Sequence, residues 1–481
     1  MDLRPPVAFP VKRASFSASN DAYGTSASAV ADEPVAPRDK VHEIPKFDLE
    51  QYIENYTGRT RFNRLYFIGT TSTVLAADAL RLAIAEAKSG KDVKLYEKAV
   101  RAFAEVAPGE EGAFLDSVWL QNLQKSVKAH TDRLEHELRG YKNNLIKESI
   151  RMGNEDLGNH YYETGDLWEA AKSYTRMRDY CTTPNHIESM LFKLMAVSIE
   201  RFDWVGVEAQ VHRLQNNHTM PDVLMETQPK VAVSLALAQM KQGSYLDAAK
   251  TFMNVPSTPG DETYNDVISA NDVAVYGGLC ALASMDRNEL QARVLDNSTF
   301  RPFLELEPHI RRAVVFFCNS KFRPCIEILE AYRADYLLDF HLRSHVSELY
   351  KMIRNKSIHQ YLVPFSKASL DSMAAVFSPA EVGQRIGLSS PFLQELIKLI
   401  QDDVLDLRID LEHGFLIRNK HDLRAEMQAE ALENLATFNQ ELHWRMLARS
   451  VIDAGLQVRS APEPPRRRVL EHSRFPRPGS G

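Results

Sequence analysis

Between Asp156 and Tyr174 the chain reads DLGNHYYETGDLWEAAKSY, and its apolar and small positions fall on two helical faces separated by a turn. Leu157, Gly158 and Tyr161 lie on one predicted helix, Gly165-Asp166 makes the turn, and Ala170 and Tyr174 lie on the second. Glycine at the turn supplies a backbone conformation that residues with a β-carbon adopt reluctantly. Gly158 and Ala170 let the two backbones approach, and the aromatic rings fill the remaining gap. Such a hairpin cannot bury its apolar face alone, so it predicts neighbours. Aligning on the turn finds them at Phe202-Asp203-Trp204 with Val207 and Val211, and at Gly243-Ser244-Tyr245 with Ala248 and Phe252. Met285-Asp286-Arg287 with Leu290 and Val294 is a weaker copy, and Ser320-Lys321-Phe322 with Cys325 and Leu329 a moderate one. Anchors 165, 202, 243, 285 and 320 are separated by 37, 41, 42 and 35 residues, the period of a two-helix solenoid.

Around these tetratricopeptide-like repeats, assigned to residues 152–355, the pattern changes. Residues 1–46 are rich in Ser, Ala and Pro without apolar period and are expected to be disordered. Residues 47–151 form an N-terminal helical region. Leu49, Tyr52, Ile53, Tyr56, Phe62, Leu65 and Ile68 follow helical spacing with a break at Gly58, and helices are predicted over Leu75–Ala87 and Val93–Phe103. A charged stretch from Leu115 to Arg151 carries one apolar stripe, Leu123, Val127, Leu134 and Leu138, with its charges on a solvated face. Pro256–Asp261 reads as a surface loop, and His341–His359 continues the helical pattern.

The period shifts again over residues 356–420. A short helix is predicted at Ser369–Phe377, and Ser378-Pro379-Ala380-Glu381 is a capping box opening a helix to Ile386. Ser390-Pro391 opens a third helix with Phe392, Leu393, Leu396, Ile397 and Ile400. Leu405 to Asp410 alternates, Glu412-His413-Gly414 turns, and Phe415 to Ile417 returns as a second strand. Three helices and a hairpin make a winged helix. Residues 421–456 continue as one helix, Asp422–Ile452, with Leu432, Leu435, Phe438, Leu442 and Met446 in a stripe that wants a partner helix. The expected fold is therefore mainly α: a tetratricopeptide-like right-handed helical-repeat solenoid, a winged helix and a long C-terminal helix, between disordered termini. Residues 457–481 hold six arginines against two glutamates and five prolines, and read as a disordered basic tail.

Composition adds little. The 481 residues are 44% hydrophobic and 25% charged, ordinary for a globular protein of two or three domains. A net charge of −6 gives no reason to expect a polyanion as main partner. Cys181, Cys280, Cys318 and Cys325 have no CxxC spacing and read as buried thiols in a reducing compartment. Pro5, Pro6 and Pro10 interrupt any signal-peptide core, and no apolar run approaches a membrane span. A cytoplasmic and nuclear protein is expected, with no membrane partner.

No catalytic constellation emerges. His341 and His345 have zincin spacing, but Leu342 stands where the metalloprotease motif needs its glutamate, and surface histidines are the better expectation. No H-x-H motif followed by Ser and Asp, no P-loop and no GxGxxG is present. Gly277-Gly278 reads as tight helix packing, and Asp402-Asp403 as an ordinary helix end. No catalytic, cofactor-binding or metal residue is assigned, and no cofactor is expected. The third helix of the winged helix offers Lys398 against Glu395, Asp402 and Asp403, with Asp410 and Glu412 in the wing; that sign repels phosphates, so protein contact rather than nucleic acid is expected.

A helical solenoid ending in a winged helix resembles the PCI-domain family of scaffold subunits. DLEQY at 48–52 with Tyr56, Gly58, Arg61, Arg64-Leu65 and Phe67-Ile68, IKESIR at 146–151, and RDYCT at 178–182 resemble the subunit 1 family of the COP9 signalosome. So do NDVAVYGGLCALASMDRNELQARVL at 271–295, FLELEP at 303–308, IRN at 353–355 and QYLVPF at 360–365. The resemblance implies a non-catalytic scaffold that supports cullin deneddylation, and so regulates cullin–RING ubiquitin ligases through the assembled complex. It also implies contacts with other signalosome subunits. Candidate interface residues are Leu405, Leu407, Ile409, Phe415 and Ile417 for a ring of winged helices, and Leu432, Leu435, Phe438, Leu442 and Met446 for a helix bundle. Two alternatives stay open, the paralogous proteasome lid subunit and a PCI-type nucleic-acid adaptor.

Overall fold

At the first predicted turn Gly165 has φ +84° and ends the helix Lys147–Thr164 before Leu167–Met177 begins. The computed structural model from which this is read describes residues 40–216, 221–256, 262–378, 390–402, 404–418 and 423–456. The chain divides into two units, residues 1–361 and 362–481.

In the first unit the hairpins stack as their period implies. Four of the five anchors share one device. Gly165, Phe202, Gly243 and Ser320 all have left-handed φ, at +84°, +57°, +82° and +58°. Each donates its N–H three residues back, to Tyr162, Ile199, Met240 and Phe317, and the next residue donates five back, to Tyr161, Ser198, Gln239 and Phe316. This pair of bonds satisfies carbonyls the helix end leaves open. Met285 departs, with an extended φ of −90°. There Lys356 Nζ donates to the carbonyls of Leu282 (2.8 Å) and Met285, so a side chain replaces the turn. The second helix of that repeat is correspondingly short, Arg287–Leu290, and runs into a wide π-helical turn, Gln291–Leu295.

Small residues set the approach of the helices. A β-carbon on Gly158 would stand 2.5 Å from the Tyr174 ring, and one on Gly278 2.3 Å from Ile310 Cγ2. The reading of Gly277-Gly278 as a packing device therefore holds.

The N-terminal helices Leu49–Glu54, Gly58–Thr71, Ala76–Ser89 and Val93–Val106 stack in the same way. Their core includes Phe62, Leu65, Ile68, Leu80 and Phe103, and also takes in Ala334 and Leu338 from the end of the repeats. Residues 40–46, expected to belong to a disordered tail, have a fixed place. Val41 is buried and bridges to Ser72, and the Lys46 N–H donates to Asp335 Oδ1 at 2.9 Å. Residues 1–39 and the tail 457–481 lie outside the described residues, as does most of the Pro256–Asp261 loop. The charged stretch Leu115–Arg151 is broken in two, with Ser117–Asn143 ending before Lys147–Thr164 and Leu145 between them at φ +55°.

In the second unit the helix Leu370–Phe377 precedes the helix Pro391–Gln401, whose Phe392, Leu393, Leu396 and Leu399 are buried. The expected helix from Ser378 to Ile386 lies outside the described residues apart from its cap. The sheet has one strand more than the sequence pattern predicts: β1 Lys367–Ser369 joins β2 Leu407–Asp410 and β3 Phe415–Arg418, all antiparallel, in the order β1-β3-β2. Three residues reading Lys-Ala-Ser carry no strand signal of their own; the open edge of β3 recruits them. The C-terminal helix runs Leu423–Asp453.

Candidate protein-interaction surfaces

Residues the sequence brings together from far apart meet at Arg64, which is 1% exposed. Its Nη1 donates to Asp339 Oδ2 and its Nη2 to Asp272 Oδ2, both at 2.7 Å. The Tyr52 hydroxyl accepts from Nη1, Tyr276 accepts from Nη2 at 3.2 Å, and the guanidinium lies 4.1 Å from the Tyr56 ring centroid. Tyr56 donates to Asp272 (2.8 Å) and Tyr276 to Asp339 (2.7 Å). Asp339 Oδ1 also accepts the backbone N–H groups of His341 and Leu342, and Asp272 closes the capping box of its own helix with Ser269.

One guanidinium faces two carboxylates, so the cluster keeps one net negative charge, spread over neutral donors. Burial raises the Asp272 carboxyl despite the lowering pull of Arg64. Burial opposes ionisation of Asp339 too, but Arg64 and the Tyr276 and Leu342 donors hold it below the ordinary range. This clamp fixes the N-terminal helices on the repeats. Arg64, Asp272 and Tyr276 appear in the motifs that carry the family resemblance, but nothing in their spacing announces that they meet.

The two histidines with zincin spacing are not surface residues on one helix, as expected. His341 is buried ahead of the helix Arg343–Leu362, with Trp204 and Phe340 against its ring. His345 is half-buried and bonded at 3.0 Å to the Tyr245 hydroxyl, which donates to Glu348 at 2.6 Å. The two rings thus serve separate contacts. Cys280, Cys318 and Cys325 are buried and Cys181 half-buried, all as free thiols. Burial pushes Cys280 and Cys325 up to about 12, which makes them unreactive.

The interface candidates of the winged helix separate by the sheet's register. Leu405 is buried just before β2. Leu407 and Ile409 pair with Arg418 and Leu416, and so share the face of buried Leu416 and Ala368. Phe415 and Ile417 point to the other face, where Lys367 Nζ lies 3.9 Å from the Phe415 ring centroid. They also belong to the middle strand, whose backbone is paired on both sides. Among the described residues, the strand edge next to these candidates that pairs with no other strand is the outer side of β2.

The C-terminal helix is different in kind. Every side chain from Met427 to Leu456 is exposed, including Leu432 (67%), Leu435 (56%), Phe438 (54%), Leu442 (39%) and Met446 (71%). Met427, Trp444, Leu447, Val451 and Ile452, which the sequence reading did not select, extend the apolar surface. Among the described side chains of this 31-residue helix none is buried. Contiguous exposed apolar surface of this extent is uncommon on a monomeric protein.

Residues 116–293 match the family described as 26S proteasome subunit RPN7, and residues 329–420 match the PCI domain. The chain is 60% identical over 442 residues to COP9 signalosome complex subunit 1 of Emericella nidulans, covering 91% of this chain and 89% of the relative. It is 36% identical over 417 residues to COP9 signalosome complex subunit 1 of Arabidopsis thaliana, covering 86% and 92%. It is 22% identical over 355 residues to 26S proteasome non-ATPase regulatory subunit 6 of Caenorhabditis elegans, covering 69% and 80%. With helical repeats, a PCI domain and this identity along almost its whole length, the chain belongs to the family of COP9 signalosome complex subunit 1.

Proposed function

We propose that this protein is a non-catalytic scaffold subunit of the COP9 signalosome. In this reading it supports removal of the ubiquitin-like modifier from cullins, and thereby regulates cullin–RING ubiquitin ligases in cytoplasm and nucleus. The observation that carries the reading is the Leu423–Asp453 helix, whose apolar residues are exposed on a chain of this family. It serves as this subunit's contribution to a helix bundle, and the outer edge of β2 serves backbone pairing in a ring of winged helices. Cullin–RING ligases are met through the assembled complex.

The proteasome lid is the second reading, favoured by the match of residues 116–293. A nucleic-acid role is disfavoured by Glu395 and Asp402 beside Lys398 at the helix Pro391–Gln401.

The test is purification of the tagged full chain from native cells, with identification of its companions and a cullin-deneddylation assay on the eluate. Signalosome subunits with activity, both lost on truncation before Asp422, are expected. Lid subunits would move the protein to the second reading. Full incorporation of the truncated chain would sink the bundle assignment.

A further inference from the structure

The break between Ser117–Asn143 and Lys147–Thr164 is built from two residues that each run against local backbone preference. Leu145 occupies the left-handed position after the helix, φ +55°, where glycine or asparagine is favoured. Ile146 is the N-cap of the next helix and caps nothing with its side chain, at a position that favours Ser, Thr, Asp or Asn. Lys147 follows at the positive end of that helix, where Glu148 in the same first turn offsets its charge. Asn143 and Asn144, either of which suits such a turn, stand immediately before. Packing within the chain does not explain the choice, because Leu145 is 81% and Ile146 54% exposed. Lys142 and Lys147, which flank the pair, make no ion pair among the described residues.

Leu145 and Ile146, both exposed, are consecutive violations of local preference, and such violations cluster at functional positions. We propose that Leu145 and Ile146 form a rigid apolar knob that seats in a socket on another protein, with Lys142 and Lys147 meeting carboxylates on the socket's rim. A protein fits better than a bilayer. A fluid membrane rewards apolar burial in any shape, whereas a socket rewards a fixed one, and a strained turn between two long helices fixes these side chains before binding. The inference goes beyond the scaffold assignment and does not use the C-terminal helix or the winged helix.

The test uses the full chain in its native assembly. A photo-reactive benzophenone side chain at position 146 should cross-link to one protein component at a site next to Asp or Glu residues. The double variant Leu145→Asn/Ile146→Ser should release that component at least tenfold more readily, while raising the melting temperature of the chain itself by about 2 °C. Lys142→Glu/Lys147→Glu should weaken the same contact, and added salt should mimic it. A melting temperature that falls in the Asn/Ser variant would overturn the premise that these residues are locally unfavourable. An unchanged assembly in both variants, or cross-linking to phosphatidylserine vesicles instead of protein, would overturn the socket.

Discussion

Arg64 Nη1 stands 2.7 Å from Asp339 Oδ2, across 275 residues of chain, and its other amino group holds Asp272 at the same distance. Removing one partner of a buried ion pair costs about 3–5 kcal/mol, because the remaining charge stays desolvated. Arg64→Met should therefore lower the stability of the first unit by that amount in urea melts. Amide exchange should accelerate over residues 41–106 first. A melt indistinguishable from the parent protein would show that the clamp does not hold the N-terminal helices in place.

Gly158 and Gly243 separate two effects. A β-carbon at residue 158 meets the Tyr174 ring at 2.5 Å, whereas at Gly243 nothing lies within 4 Å and only the φ of +82° resists substitution. Gly158→Ala should cost about 1–3 kcal/mol by overpacking, and Gly243→Ala about 1 kcal/mol from the backbone alone. Calorimetry on the two variants, with Tyr174→Leu added to the first, distinguishes them. The leucine should rescue part of the Gly158→Ala loss and none of the Gly243→Ala loss.

Acid should loosen the contact between the helices Tyr245–Met253 and Arg343–Leu362. Burial, reinforced by Lys241, lowers His345 to about 4, and burial holds His341 well below its ordinary value. Between pH 6.5 and 4 the unfolded chain therefore binds protons that the native chain refuses. Stability from these rings is complete above about pH 6.5 and is lost as the pH falls. Melting temperatures taken across that range should decline, and His345→Gln should make the decline shallower. Parallel curves for the two proteins would place the acid response elsewhere.

On the scaffold reading, Leu435→Ser, Phe438→Ser and Leu442→Ser together should abolish incorporation into the assembly. The melt of the isolated chain should stay within about 0.5 kcal/mol per site, as for other exposed positions. Loss of stability in the isolated chain would mean that this face is covered within it.

Much of the solenoid was legible because its turns impose a backbone requirement that glycine advertises at residues 165 and 243. Phe202 and Ser320 adopt the same conformation without the advertisement, and only the period located them. Met285 fell on the period but not on the device, since its carbonyls are held by Lys356, a residue 71 positions away. The winged-helix hairpin was legible as alternation, yet alternation alone does not say which face is buried. Leu416, 1% exposed, was passed over for Phe415 and Ile417. β1 was invisible because its pairing is supplied by a neighbour. The C-terminal helix was the easiest element to read, because its side chains from Met427 to Leu456 are all exposed and little packing overrides its periodicity.

The clamp also sets a schedule for synthesis. Arg64 leaves the ribosome 275 residues before Asp339, which at about 5–20 residues per second is a wait of roughly 15–55 s. During that interval the N-terminal helices hold a cation whose first counter-charge, Asp272, emerges 208 residues after it, and an apolar surface that Ala334 and Leu338 cover only at the end. The nascent chain should thus depend on chaperones until the last repeat emerges, and slowing translation between residues 272 and 339 should lengthen that dependence.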